Sequence, residues 1–148
     1  MKPESSPIED DEWLLRIVFE DRFRPDGVSL SPRTFEPREG RSPDTDGISL
    51  FRESCLENPA DVLSILPDAA KPKNGVVRIP IALLHELGFT VRAKKEEKLP
   101  GHVVIPELNI MAYKSRKNAF TAALKTIADV AHANLVIRPS RPDSNAAD

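Results

Sequence analysis

Residues 115–138 read SRKNAFTAALKTIADVAHANLVIR, and the way this stretch divides decides the fold class. Phe120, Ala123, Leu124, Ile127, Val130 and Ala131 recur at helical spacing, which predicts one apolar face on a helix from Ser115 to about Ala133. Asn134 offers a left-handed cap, and LVIR (135–138) is a β-rich run that Pro139 stops. A long amphipathic helix feeding straight into a short strand implies a sheet for the helix to cover.

The preceding segments supply that sheet. WLLRIVF (13–19), GISLF (47–51), GVVRI (75–79), FTVRA (89–93) and HVVI (102–105) read as strands, with GVSL (27–30) as a further short one. The charged segment KKEEKLPG (94–101) between the fourth and fifth of these has the form of a hairpin connection. Asn58 followed by Pro59 opens a short helix in NPADVLSIL, Pro80 and Gly88 bracket another in PIALLHELG, and Ser31-Pro32 gives a similar opening in SPRTF. The pattern predicts an α+β fold: a single small domain with five or six short strands in a mixed or mainly antiparallel sheet, one long amphipathic helix (115–133) and two short helices. Strand–helix alternation is too incomplete for a doubly wound parallel sheet.

The domain is expected to span residues 12–138. Residues 1–11, MKPESSPIEDD, are polar, acidic and proline-containing, and predict a disordered leader; residues 139–148 predict a disordered tail, and EPREGRSPDTDG (36–47) a mobile surface loop. The chain of 148 residues carries a formal charge of −2. Glu4, Glu9, Asp10, Asp11 and Glu12 stand against Lys2 in the first twelve residues, which leaves +2 for the remainder. That is far from the clustered positive charge of a strong nucleic-acid binder. The lone Cys55 reads as a small buried hydrophobe, and no signal pattern or membrane-length apolar run is present, so a cytoplasmic protein without a membrane partner is expected.

Chemistry-bearing residues are few. There is no glycine-rich phosphate loop, no nucleophile elbow and no zinc spacing among the histidines, so neither a metal nor a cofactor is expected. In PGHVVIPELN (100–109), His102 opens a strand just after a Pro-Gly turn and is the best catalytic candidate by elimination; Glu107 lies beyond Pro106. An extended strand would hold the two about 16 Å apart, too far for a direct acid–base pair. Arg16, Ser49 and Arg52 lie on or beside strands that could bring them near His102, where guanidinium forks would hold a phosphate or carboxylate. An early-strand arginine resembles the arrangement in compact NAD-using transferases, but the rest of that motif is absent and no family is assigned. A second anion site is suggested by YKSRKN, where Ser115 would cap a helix flanked by Lys114, Arg116 and Lys117. These observations predict a partner-binding accessory or regulatory protein, its partner another protein. The alternatives are a small enzyme on a nucleotide or phosphorylated substrate, with His102 as acid/base and Arg16 and Arg52 as anion clamp, and a nucleic-acid binder using the helix start at 114–118.

Overall fold

Trp13–Phe19 (β1) is the strand around which the sheet is built. The computed structural model describes residues 1–23, 30–40, 43–95 and 98–139. Within these, β1 is followed by Ile48–Arg52 (β2), Asn74–Pro80 (β3), Arg92–Ala93 (β4), His102–Ile105 (β5) and Leu135–Ile137 (β6). They form one 6-stranded sheet in the order β4-β5-β2-β1-β3-β6, with every neighbouring pair antiparallel. The expected α+β domain is what forms. The α-helices are Ile81–Glu86 (α1), Ile110–Ser115 (α2) and Lys117–Ala133 (α3).

Each face of the sheet is covered because the strand side chains alternate. Leu14, Val18, Ile48, Leu50, Val77, Ile79, Val103 and Ile105 face a core that includes Leu84 of α1 and Leu124, Ile127, Ala128 and Ala131 of α3. On the other face Leu15, Phe51 and Val76 meet Leu56, Leu99 and Val62, the last carried by the 3-10 helix Pro59–Ile65. That turn is opened as expected by Asn58, whose side chain accepts from the Ala60 N–H while Asp61 accepts from the Asn58 N–H, a reciprocal cap. Ser31 likewise accepts from the Arg33 N–H at the start of the 3-10 helix Pro32–Phe35.

Pairing around β1 is uneven. β1 and β3 run together for seven residues, from Trp13 opposite Pro80 to Phe19 opposite Asn74. β1 and β2 pair only at Leu14 with Arg52 and at Leu15 with Phe51, after which the strands part.

Several expectations need correction. The long helix does not begin at Ser115. Residues 110–115 form α2, opened by Asn109, whose side chain accepts from the Ala112 N–H, and Ser115 closes that helix by donating its hydroxyl to the Ala112 carbonyl. Arg116, at φ −136°, breaks the path, and α3 starts at Lys117. The break lets the Tyr113 and Phe120 rings stack with centroids 6.0 Å apart. Asn134 has φ −122°, so it is not a left-handed cap; its side chain donates back to the Val130 carbonyl instead. FTVRA contributes only Arg92 and Ala93 to the sheet. GVSL falls on residues of which only Leu30 is described, bridged to Phe23.

The leader makes contacts that its composition does not announce. Residues 1–11 lie against the end of β2: the Lys2 N–H donates to the Ser54 carbonyl, and the carbonyls of Glu4, Ser6 and Pro7 accept from the Arg52 guanidinium. Asp10 pairs with His85 of α1 at 2.7 Å, and Ile8 packs against the main core. Polar groups order this segment, by satisfying a buried cation, where apolar content would not have done so. The loop at 36–47 is also anchored. Arg38 and Asp44 exchange backbone and side-chain hydrogen bonds, and the Asp44 carbonyl accepts from the Ile110 N–H. Residues 140–148 of the expected tail lie outside the described residues.

The apolar stripe of α3 gives a direct check on the packing. Leu124 is buried and Lys125 exposed. Leu124→Ala should cost about 2–5 kcal/mol and Lys125→Ala under about 0.5 kcal/mol in urea denaturation. Equal costs would mean a different face of α3 meets the sheet. No helix among the described residues is long and apolar enough to cross a membrane.

Candidate functional site

The site lies where β2 leaves β1. Beyond Leu15 the ladder between these strands ends, and Arg16 reaches into the gap. Its Nη1 donates to the Ser49 carbonyl at 2.7 Å, while Nε and Nη2 donate to the Thr34 carbonyl at 3.3 and 3.1 Å. One side chain thus ties β1, β2 and the 3-10 turn at 32–35 together. All these acceptors are neutral. No carboxylate forms an ion pair with Arg16 among the described residues.

Burial pushes the Arg16 guanidinium down to about 10; Asp44 works against that fall, while Arg38 and Arg22 add to it. It remains charged at neutral pH, with Asp44 acting on it without forming an ion pair.

Arg16 lines a cavity of about 640 Å³ whose wall also includes Thr34, Ser49, Phe51 and His102, with Arg22, Arg33 and Arg38 contributing. Thr34 is buried, and its hydroxyl has no hydrogen-bond partner among the described residues. The nearby carboxylates are engaged: Asp44 with Arg38 at 3.6 Å, Glu39 with Lys114 at 3.0 Å, and Glu36 with the Tyr113 hydroxyl. Arg22 pairs with Asp21. Arg33 is exposed and has no ion pair among the described residues. Two guanidiniums, Arg16 and Arg33, therefore remain without an acidic partner there.

Of the sequence-derived candidates, Arg16, Ser49 and His102 come together on this cavity. His102 is buried as the first residue of β5, opposite Phe51, and its ring stacks on the Phe51 ring with centroids 5.1 Å apart. Arg52 does not join them, and its expected role as an anion clamp is corrected by its contacts. Only 1% exposed, it is held in a fork by Glu12, with Nε on Oε1 and Nη2 on Oε2, both at 2.8 Å. Its remaining N–H groups go to Glu4, Ser6 and Pro7 of the leader, so no donor is left for a ligand.

Glu107 is elsewhere too. It accepts from both the N–H and the hydroxyl of Thr90, fixing the loop after α1. The proposed helix-start site also dissolves. Ser115 belongs to the C-terminal end of α2, Lys114 pairs with Glu39, and Arg116 and Lys117 lie over the rings of Phe120 and Tyr113.

Sequence reasoning missed Thr34, Arg33 and Arg38 at the cavity. The signal available was PRTFEPR (32–38), two Pro-Arg dipeptides five residues apart in a stretch read as a helix opening followed by a loop. No protein-family model, curated protein or solved structure matches this chain.

Proposed function

We propose that this chain is a non-catalytic module, accessory or regulatory in role, whose cavity binds a small anion. The observation that carries the reading is Arg16: a half-buried guanidinium whose hydrogen bonds go only to neutral carbonyls, lining a cavity that Arg33 also lines. A half-buried cation whose hydrogen bonds reach only neutral groups is costly, and an anion that fills the cavity offsets that cost. Arg16 also meets the demand for preorganisation, because three contacts hold its fork in place before any ligand arrives.

The reading is tested by thermal unfolding in low-salt buffer with millimolar inorganic phosphate or pyrophosphate, against sodium chloride of equal ionic strength. A binding anion raises Tm by mass action. Because Arg16 also joins three elements, Arg33→Gln is the informative variant: it should weaken the shift without disturbing the fold. No rise in Tm beyond the chloride control would sink the reading.

A second reading has one supporting observation, that His102 shares the cavity wall with Arg16 and Ser49. In a small transferase or hydrolase of phosphorylated substrates, His102 would act as the acid/base. Its stacking on Phe51 favours a structural role. His102→Gln should lower stability by about 1–3 kcal/mol while anion binding persists; a stable variant that binds but no longer turns over a phosphate ester would favour the enzyme.

A further inference from the structure

We propose that the anion is a phosphate monoester carrying an apolar or aromatic body, its phosphate on Arg16 and Arg33 and its body against Ile17, Phe19, Ile65 and Leu66. The proposal rests on the anion reading above and adds the identity of the ligand.

The charge of the head follows from what the site leaves uncompensated. Asp44 and Glu39 are paired with the cations Arg38 and Lys114, whereas Glu36 keeps its charge beside the neutral Tyr113 hydroxyl, so what Arg16 and Arg33 offer a ligand is chiefly a set of charged donors without an ion pair of their own. A carboxylate carries one negative charge, whereas a phosphate monoester carries about −1.5 to −2 near neutral pH and presents three strong acceptor oxygens. Three of the five N–H groups of Arg16 are used on carbonyls, which leaves one on each Nη for the ligand. Arg33, exposed and with no ion pair among the described residues, lines the same cavity and can close on the same group.

The need for a body follows from size and from the opposite wall. A cavity of about 640 Å³ falls within the range that holds organic ligands and would be largely unfilled by inorganic phosphate. Successive residues of a strand face opposite ways, yet Arg16, Ile17, Val18 and Phe19 all contribute to this cavity. They can do so because β2 has left that side of β1 and the strand is open along its edge. Ile17 and Phe19 therefore line the cavity together with Ile65, the last residue of the 3-10 helix, and Leu66 just beyond it. Phe19 is 43% exposed, unusual for a large apolar side chain here, where only Met1 and Met111 are also called exposed among the described residues. A single exposed Phe needs no explanation; one that lines an arginine-bearing cavity together with Ile17, Ile65 and Leu66 supplies an apolar wall to an amphipathic site.

The experiment is calorimetric titration of the intact protein at low ionic strength and pH 7.5 with methyl phosphate, phenyl phosphate and benzoate. Phenyl phosphate should bind about tenfold or more tighter than methyl phosphate, because its ring leaves water for the apolar wall. It should also bind about tenfold or more tighter than benzoate, which has the ring but a single charge. Phe19→Ser should narrow the gap between phenyl and methyl phosphate to within about threefold. Equal affinities for phenyl and methyl phosphate would overturn the apolar body while leaving the anion reading intact. Benzoate binding as tightly as phenyl phosphate would overturn the phosphate head. Failure of all three, together with inorganic phosphate, would remove the inference and the anion reading together.

Discussion

Replacing Arg52 by Met should destabilise the protein by about 3–5 kcal/mol, the usual consequence of removing one partner from a buried ion pair. Glu12 and Arg52 are both almost wholly buried, at 4% and 1% exposure, so the variant leaves a buried carboxylate with only the Ser54 hydroxyl, the Glu9 N–H and a longer contact to Lys2. It also releases the carbonyls of Glu4, Ser6 and Pro7, which Arg52 alone gathers. Deleting residues 2–11 should therefore lower stability substantially as well, contrary to what their composition implies. The pair makes a further commitment in acid. Burial opposes the charge on Glu12, but hydrogen bonds from Arg52, Ser54 and the Glu9 N–H outweigh it and hold the group at about 2, below the ordinary 4.5. A depressed carboxylate contributes stability that is complete above the unfolded-state value and is lost as pH falls through the folded one. Between about pH 4.5 and pH 2 the wild type should lose about 3 kcal/mol from this group alone, and Arg52→Met should show little of that dependence. Urea denaturation at pH 7 and pH 3 measures both effects. An Arg52→Met variant within about 1 kcal/mol of wild type would mean the leader is held by something else.

Gly47→Ala should be equally damaging for a different reason. Gly47 leads into β2 with φ +121°, where a side chain is strained, and an added Cβ would fall onto the backbone carbonyl of Ile105 and 3.0 Å from the Pro106 Cα. Backbone on a paired strand cannot yield as a flexible side chain can, so β2 would have to shift along β5 or leave it. Since β2 carries Ser49 and Phe51 to the cavity and Arg52 to the leader, both sites would be lost with it. The expected outcome is a loss above about 3 kcal/mol or failure to fold. Gly88→Ala is the control: φ is +89° but nothing lies within 4 Å of the added atom, so only conformational strain of about 1–2 kcal/mol applies. Thermal melts of the two variants compare a steric with a purely torsional cost. Similar melting temperatures would show that the Ile105 contact is readily relieved.

Much of the fold was legible because its signals are local. β1 and β5 fall on WLLRIVF and HVVI, and Asn58-Pro59 and Ser31-Pro32 open helical turns as their capping chemistry requires. The break at Arg116 was not legible, since no Gly or Pro marks it; it depends on Ser115 bonding back to Ala112 and on rings meeting across the gap. The leader's contacts were not legible because sequence composition weighs apolar content, while the group they meet is a guanidinium 40 residues beyond Glu12. The same blindness to long-range pairing explains the site. Arg16 and Arg52 looked alike as arginines at strands, and only the course of β2 separates the one that is consumed from the one that keeps donors for a ligand. Arg33 and Arg38 come from a turn and a loop whose placement no periodicity encodes.

The two-pair junction of β1 with β2 also divides the sheet dynamically. On one side stand β4, β5 and β2; on the other stand β1, β3 and β6, joined internally by the seven-residue ladder of β1 with β3. Opening costs least where the fewest backbone hydrogen bonds must break, so amide exchange in the native state should resolve two cooperative blocks meeting at Leu15 and Phe51. Arg16 spans that boundary through the Ser49 carbonyl. A molecule bound to Arg16 would then slow the parting of the two blocks, and occupancy of a surface cavity would be felt as rigidity across the whole sheet.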